Sequence, residues 1–129
     1  MIKDRPASSK KLNSTVLDWA GIAATPTQVG ELRQFLDAAT RTLDRLECHV
    51  STVNPGETPH PAHRHPDEEL VIIKDGTLEA TINGVASRAG PGSLFFFASN
   101  DLHGLRNPGT TPATYYVIRI FPRDLSPGG

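Results

Sequence analysis

Closely spaced turn signals constrain the fold of this chain more than any other feature of its sequence. They fall at Asn54-Pro55-Gly56, Asp75-Gly76, Asn83-Gly84 and Gly90-Pro91-Gly92, and Asn-Gly is the strongest two-residue signal for a β-hairpin. The stretches between these turns leave no room for crossover helices, which parallel strands require. The sequence therefore predicts an all-β fold of short strands, arranged as a sandwich or barrel.

Runs of alternating apolar and polar residues fill the stretches between the turns. The alternation is clearest in TLEATI, which begins at Thr77, because one side of a half-buried strand is apolar and the other polar. The predicted strands are about 31–37, 43–53, 69–74, 77–82, 85–88, 93–97 and 114–121. The apolar run from Thr15 to Ala20 predicts a further edge strand.

The stretch from Glu31 to Val53 fits two interpretations. Its apolar residues recur at the spacing of an amphipathic helix: Leu32, Phe35, Leu36, Ala39, Leu43 and Leu46. From Leu46 onward, however, apolar and polar residues alternate and β-branched residues become frequent, as in a strand. We therefore predict two strands, with Cys48 buried as a small hydrophobe. His49 points the opposite way, and there we expect exposure to solvent rather than a place in a pocket.

Length and composition exclude several classes of protein. A chain of 129 residues fits one compact domain. Thirteen basic and 14 acidic residues leave a net charge of −1, so no strong positive field would attract nucleic acid. The single cysteine excludes an intramolecular disulfide and a multi-cysteine zinc site. No apolar stretch approaches the roughly 20 residues that cross a bilayer, so we expect a soluble protein without a membrane partner.

The predicted domain has a segment outside it at each end. Residues 1–13 are polar, mixed in charge and interrupted by proline, which is typical of a poorly ordered arm. We expect one barrel domain at 14–122 and a flexible tail at 123–129. The arm lacks the apolar segment of a secretory leader, and both a cytoplasmic location and export with the leader removed remain open.

Histidines gather at two places in the sequence. His60, His63 and His65 precede the predicted strand 69–74, and His103 follows a later strand. Side chains two residues apart in an extended segment point to the same side. His63 and His65 can therefore aim their rings at one point, as in a chelating pair.

A glutamate stands on the inward side of the strand that follows these histidines. Glu69 shares its face with Val71 and Ile73, and an unpaired charge is costly to bury. A divalent cation would compensate the charge, and imidazole with carboxylate suits Mn, Fe, Co, Ni, Cu or Zn. The candidate ligands are His63, His65, Glu69 and His103.

Other interpretations of these residues are possible. Asp67 and Glu68 are rival carboxylates, but both fit the loop after Pro66, whereas Glu69 begins the apolar strand. If these residues bind no metal, His63, His65 and Glu69 belong to a solvated polar surface loop, and His103 caps a turn.

The sequence around the first cluster resembles the first of the two cupin motifs. The resemblance begins at Gly56, runs through His63, His65 and Glu69, and ends at Gly76. Six residues rather than five follow the first glycine.

A second stretch is similar to the other cupin motif, in which asparagine follows the histidine after three residues. Here His103 precedes Asn107 at that spacing. Pro91 and Gly92 are adjacent where the motif has an intervening residue, and ten residues rather than two separate Gly92 from His103. The resemblance spans about residues 43 to 121.

The resemblance implies a double-stranded β-helix, the cupin jelly-roll barrel, with the arm at its N-terminus. It also implies a metal on the barrel axis with three histidine ligands and one glutamate ligand: His63, His65, Glu69 and His103. Tetrahedral zinc would use all four ligands and close the site, whereas an octahedral ion would keep two positions open.

Cupins include dioxygenases, isomerases, decarboxylases, lyases, storage proteins and ligand-sensing domains, so the fold does not fix the function. The favoured hypothesis is a metal-dependent enzyme of the dioxygenase, isomerase or lyase type that acts on a small oxygen-rich molecule. The alternative is a non-catalytic module for a metal or a small molecule, because no second acid–base group is evident near the ligands. The sequence does not place Glu47, Glu57 and Glu79. A regulator is disfavoured, since no helix-turn-helix accompanies the barrel.

Small cupins often dimerise by pairing or exchanging edge strands. The resemblance therefore implies a homodimer, for which the arm and the strand predicted at 15–20 are available.

Overall fold

The computed structural model describes residues 10–124, which form nine β-strands and one 3-10 turn at Trp19–Gly21. No helix in this part of the chain is long and apolar enough to cross a membrane. The strands are β1 (Thr25–Pro26), β2 (Gly30–Ala38), β3 (Leu43–Val53), β4 (Glu68–Asp75), β5 (Leu78–Ile82), β6 (Val85–Ala89), β7 (Leu94–Phe97), β8 (His103–Arg106) and β9 (Ala113–Pro122).

The strands form two antiparallel sheets. The larger sheet has the order β1-β2-β3-β9-β4-β7 and the smaller has the order β6-β5-β8. Their inner faces share one apolar core, which draws Val71, Ile73, Phe97 and Tyr115 from the larger sheet and Leu78, Ala80 and Leu105 from the smaller. The predicted all-β fold is confirmed.

Seven predicted strands, from 31–37 to 114–121, are confirmed to within one residue at each end. The turns explain this agreement, because their chemistry is local. Asn83 and Gly84 both have positive φ, at 48° and 86°, as a two-residue hairpin turn of type I′ requires. A side chain at Gly76, where φ is 82°, would place its Cβ 2.7 Å from the carbonyl oxygen of Pro112.

Two expectations about strands are wrong. Residues 15–20 form no strand, because Asp18 accepts a hydrogen bond from the backbone of Ala20 at 3.2 Å and caps the 3-10 turn. Conversely, the sequence pattern predicts no strand at β8. This four-residue strand, HGLR, lacks clear alternation, and its pairing with β5 comes from a distant part of the chain.

The inner and outer faces of β3 are the reverse of what its polarity indicates. Glu47 and His49 line the cavity of the barrel, so the expectation that His49 is exposed to solvent is wrong. Cys48 points outward and is only partly buried, whereas Val50 is fully buried on that outer side. The apolar outer face is possible because the N-terminal segment covers part of it.

Trp19 forms the centre of this cover. Its ring centroid lies 6.0 Å from that of Phe35 and 6.4 Å from that of Tyr116. Two cations contact the same ring, with the guanidinium carbon of Arg33 at 4.6 Å and the ammonium nitrogen of Lys74 at 5.1 Å. A bulge in β2 between Gln34 and Leu36 provides the extra residue, Phe35. The Trp19 cluster therefore fixes the N-terminal segment to the sheet.

The predicted arm at 1–13 and tail at 123–129 lie mostly outside the described residues. Of the arm, residues 10–13 are described, and Leu12 donates a backbone hydrogen bond to Ala39 at 2.8 Å. The domain boundaries at 14 and 122 stay a prediction.

We expect Trp19→Ala to lower the free energy of unfolding by about 2 kcal/mol, because the Phe35 and Tyr116 rings lose their cover and two cations lose their aromatic partner. Urea denaturation measures the change. Val16→Ala is the control, since Val16 belongs to the same segment but is 90% exposed. Equal stability of both variants would contradict this account of the cover.

Candidate metal centre

The four predicted ligands meet inside the barrel. One donor atom from each of His63, His65, Glu69 and His103 lies within 4.8 Å of all the others. Donors on opposite sides of one ion lie about 4 Å apart, since each bond to a first-row metal measures about 2.1 Å. The cluster therefore has nearly the dimensions of a coordination sphere.

Backbone pairing holds the two histidine segments together. The amide of His63 donates to the carbonyl of His103 at 2.9 Å, and the amide of His103 donates to the carbonyl of His63 at 3.0 Å. Gly104 permits this approach, because a Cβ there would lie 3.3 Å from the Cβ of Ala62. The imidazole of His63 thus comes from a loop whose backbone is as fixed as that of a strand.

Asn107 anchors the loops beneath the centre rather than joining it. Its fully buried amide donates to the carbonyls of Val53 and Thr111, each at 2.8 Å. Its backbone carbonyl accepts from Gly56 at 2.8 Å and its backbone amide donates to Glu57 at 3.0 Å. The asparagine of the second motif therefore binds the first glycine of the first motif.

Backbone carbonyls fix the tautomers of two histidines. Nδ1 of His65 lies 2.9 Å from the carbonyl of Asp67, and Nδ1 of His103 lies 2.9 Å from the carbonyl of Asp101. Because a carbonyl only accepts, each Nδ1 donates, and in the neutral rings Nε2 carries the lone pair. Metal-binding histidines show this same arrangement of their second nitrogen.

Both Nε2 atoms face Glu69. Its Oε1 lies 3.0 Å from Nε2 of His65 and 3.6 Å from Nε2 of His103, and Nε2 of His103 is buried without a hydrogen-bond partner. A lone pair aimed at a carboxylate is repulsive unless a proton or a cation lies between them. The donor set therefore fits a bound divalent ion.

A proton and a metal cation can each occupy the space between these imidazoles and Glu69. The pKa values of His65, His63 and Glu69 agree with this. Hydrogen bonds to Asp67 and Glu69 raise the pKa of His65 to about 10. Burial lowers the pKa of His63 to about 4, together with repulsion from His60, His103 and His65. Burial opposes ionisation of Glu69, but the imidazoles of His103 and His65 beside its carboxylate outweigh burial and lower its pKa to about 2. The carboxylate and His63 are thus ready to bind a cation at neutral pH.

The rival carboxylates do not join the cluster. Asp67 is buried and accepts two hydrogen bonds from Arg119, at 2.8 and 2.9 Å, and its Oδ1 lies 3.1 Å from Nδ1 of His65. Burial opposes its ionisation, but the bonds to His65 and Arg119 prevail and hold the pKa of Asp67 well below its usual range. Glu68 is exposed. Asp67 therefore positions His65, a role that no sequence signal indicates because Arg119 lies 52 residues away.

A cavity of about 730 Å³ opens beside the ligands. Three of the ligands line it. Polar residues of β2, β3 and β9 form much of the remaining wall, among them Glu31, Gln34, Asp37, Arg45, Glu47, His49, Ser51 and Arg119. Of the three glutamates that the sequence does not place, only Glu47 lines the cavity. Glu57 is exposed, and Glu79 pairs with Arg88 and Arg106 on β5.

Comparison with known families identifies the chain. Residues 49–119 match the family model described as a cupin domain. The chain belongs to the cupin family. No curated protein sequence matches this cupin.

Solved structures confirm the fold of this cupin as the jelly-roll barrel. KdgF from a Halomonas species has 15% identity and a TM-score of 0.69, over 87% of this chain and 97% of that one. The polyketide cyclase RemF from Streptomyces resistomycificus has 16% identity and a TM-score of 0.67, over 88% of each chain. A predicted oxalate decarboxylase from Thermotoga maritima has 18% identity and a TM-score of 0.65, over 83% of this chain and 99% of that one. At these identities the likeness shows the fold alone.

We expect the stability of the metal-free cupin to decline on both sides of neutrality. Folded His65 keeps a proton up to about pH 10, whereas unfolded histidine loses it near pH 6.5, so the free energy of unfolding decreases as pH rises between these values. Asp67 and Glu69 have lowered pKa values, so their contribution is lost as pH falls below about 5.

Urea denaturation with chelator present measures both declines. His65→Gln removes the decline at alkaline pH, for which the shift from 6.5 to about 10 sets an upper limit of roughly 5 kcal/mol in the wild type. An unchanged alkaline slope in this variant would contradict the assignment to His65.

Proposed function

We propose that this cupin binds one divalent transition metal ion and uses it to act on a small oxygen-rich molecule. The ion would be Mn, Fe, Ni, Co, Cu or Zn, held by His63, His65, Glu69 and His103. The observation that carries the proposal is the buried Nε2 of His103, which has no hydrogen-bond partner and faces a carboxylate across 3.6 Å.

The position of the centre supports a role in catalysis. A bound divalent ion supplies a Lewis-acid charge that polarises an oxygen of a substrate. The ligands lie beside a cavity whose volume, about 730 Å³, is that of a site for a small molecule. Asp67 and Arg119 brace His65 from behind, which keeps its Nε2 directed at the centre.

Charge favours an uncharged substrate over a polyanion. The cavity is lined by four carboxylates and two guanidinium groups. The carboxylates belong to Glu31, Asp37, Glu47 and Glu69, and the guanidinium groups to Arg45 and Arg119. A divalent ion brings the formal charge of this lining to zero, so no excess positive charge remains to attract phosphates. Hydroxyl and carbonyl oxygens are the groups that suit such a cavity, and the reaction would be of the isomerase, lyase or dioxygenase type.

The alternative is a module that binds a metal or small molecule without catalysis. Its motivation comes from the sequence, which by itself indicates no second acid–base group near the ligands. Glu47 and His49 line the same cavity as the ligands, which supports the enzyme over the binding module.

Elemental analysis of protein purified without added metal or chelator tests the proposal. We expect close to one transition metal ion per chain, and its loss in the double variant His63→Ala/His65→Ala. Arg64→Ala is the matched control, because Arg64 lies between the two histidines but is exposed. Folded wild-type protein that contains no metal and takes up none on titration would refute the ligand assignment. Turnover that survives Glu69→Ala would refute the metal-centred mechanism.

The homodimer stays a prediction. The strand expected at 15–20 is not formed, so exchange of that strand is not its basis. Light scattering at micromolar concentration tests the oligomeric state, and a monomer there would reject the dimer.

A further inference from the structure

A carboxylate and an imidazole outside the ligand cluster form a second polar pair in the cavity. Nδ1 of His49 lies 2.8 Å from Oε2 and 3.0 Å from Oε1 of Glu47. Both residues lie on the inner face of β3 and line the cavity. The four proposed ligands do not include them, so the proposed metal site leaves the pair unused.

Glu47 is itself held in place. Its side chain is 8% exposed, and its Oε2 accepts a hydrogen bond at 2.7 Å from the amide of Gln34 on the neighbouring strand β2. The same nitrogen lies 3.0 Å from the carbonyl oxygen of Leu36 and 3.1 Å from that of Cys48. These acceptors around its two hydrogens hold the Gln34 side chain in place. The carboxylate therefore presents a fixed acceptor to the ring of His49.

This acceptor sets the tautomer of His49. An ionised carboxylate only accepts, so Nδ1 donates and Nε2 of the neutral ring keeps its lone pair. Among residues 10–124, Nε2 of His49 has no hydrogen-bond partner. A carboxylate that orients an imidazole in this way is the arrangement that makes histidine a general base.

The pair and the ligand cluster belong to one surface. Glu47 on β3 and Glu69 on β4 both lie directly opposite Arg119 of β9, which separates them. Two strand spacings place their backbones roughly 10 Å apart. His49 lies two residues further along β3, opposite Val117. A molecule held at the ligand cluster can therefore reach His49 across one strand.

Stability alone does not account for this pair. Polar groups on the inner face of a barrel lose hydration, which costs free energy even when they bond to each other. Leu46 and Cys48 lie on the opposite face of β3, so the register of this strand places its polar residues inside the barrel.

We propose that His49, oriented by Glu47, is the acid–base residue of the cavity and that the substrates are uncharged hydroxycarbonyl compounds. The proposal rests on the proposed function, because the ligand cluster would hold the carbonyl end. A C–H bond next to the carbonyl breaks, its proton passes to Nε2 of His49, and its electron pair stays on the substrate as an enolate. The proton then returns to the former carbonyl carbon, and the hydroxyl proton of the first carbon moves to the former carbonyl oxygen. The carbonyl and hydroxyl groups thereby exchange places, and no further reactant is needed.

Hydrogen exchange tests the proton transfer directly. The probe is dihydroxyacetone in deuterium oxide, with metal-loaded protein, and deuterium incorporation is followed by NMR. We expect His49→Gln to lower the rate at least 100-fold and Glu47→Gln at least tenfold. Glu79→Gln is the matched control for a glutamate on a strand outside the cavity, and we expect its rate to stay within twofold of the wild type.

A second readout is independent of the metal and of turnover. Nitrogen-15 NMR of the imidazole rings reports the tautomer, and we expect a protonated Nδ1 and a free Nε2 for His49 in the wild type. We expect Glu47→Gln to lose this fixed tautomer while circular dichroism and metal content stay unchanged. If His49→Gln fails to fold, Glu47→Gln supports or overturns the proposal on its own.

The outcomes separate the two proposals. Three results would each overturn the role of His49. The His49→Gln variant could exchange hydrogen at the wild-type rate, or the metal-loaded wild type could show no exchange. The third is a proton on Nε2 of His49 in place of Nδ1. Wild-type protein that binds no metal counts against the proposed function, and the tautomer still reports on the pair of Glu47 and His49.

Discussion

The inward carboxylate of Glu69 is the constraint on which the centre of this barrel depends. The register of β4 that buries Val71 and Ile73 also directs Glu69 inward, because these residues share one face of the strand. A charge in that position needs a partner. The structure surrounds it with imidazoles from two distant segments, and their mutual backbone hydrogen bonds close the barrel at the same point. Packing of the core and assembly of the site are therefore one event.

Local patterns predict the turns, most of the strands and the four residues whose donor atoms the barrel brings together. The Asn83-Gly84 hairpin depends on two residues, and the inward direction of Glu69 depends on alternation within one strand. Asp67 could not be understood in this way, because its role depends on Arg119 from the far end of the chain. The strand β8 has no sequence signal for the same reason, since it forms through its pairing partner rather than through its own pattern.

The faces of β3 show why polarity can mislead. An apolar residue is taken to face a core, but the outer side of this sheet is also apolar where the Trp19 cluster covers it. His49 and Glu47 therefore lie inside despite their polarity, and a cavity that must bind polar atoms is lined accordingly. A sequence pattern distinguishes the two faces of a strand, but it does not show which of them encloses the cavity.

The position of Trp19 determines what light absorbed by this protein can report. It is the only tryptophan in the chain, and it lies on the outer side of the large sheet between Arg33 and Lys74. Its fluorescence therefore follows the attachment of the N-terminal segment and the integrity of the sheet. A molecule that enters the cavity occupies the opposite side of that sheet. An unchanged tryptophan emission spectrum therefore carries no information on whether the cavity is filled.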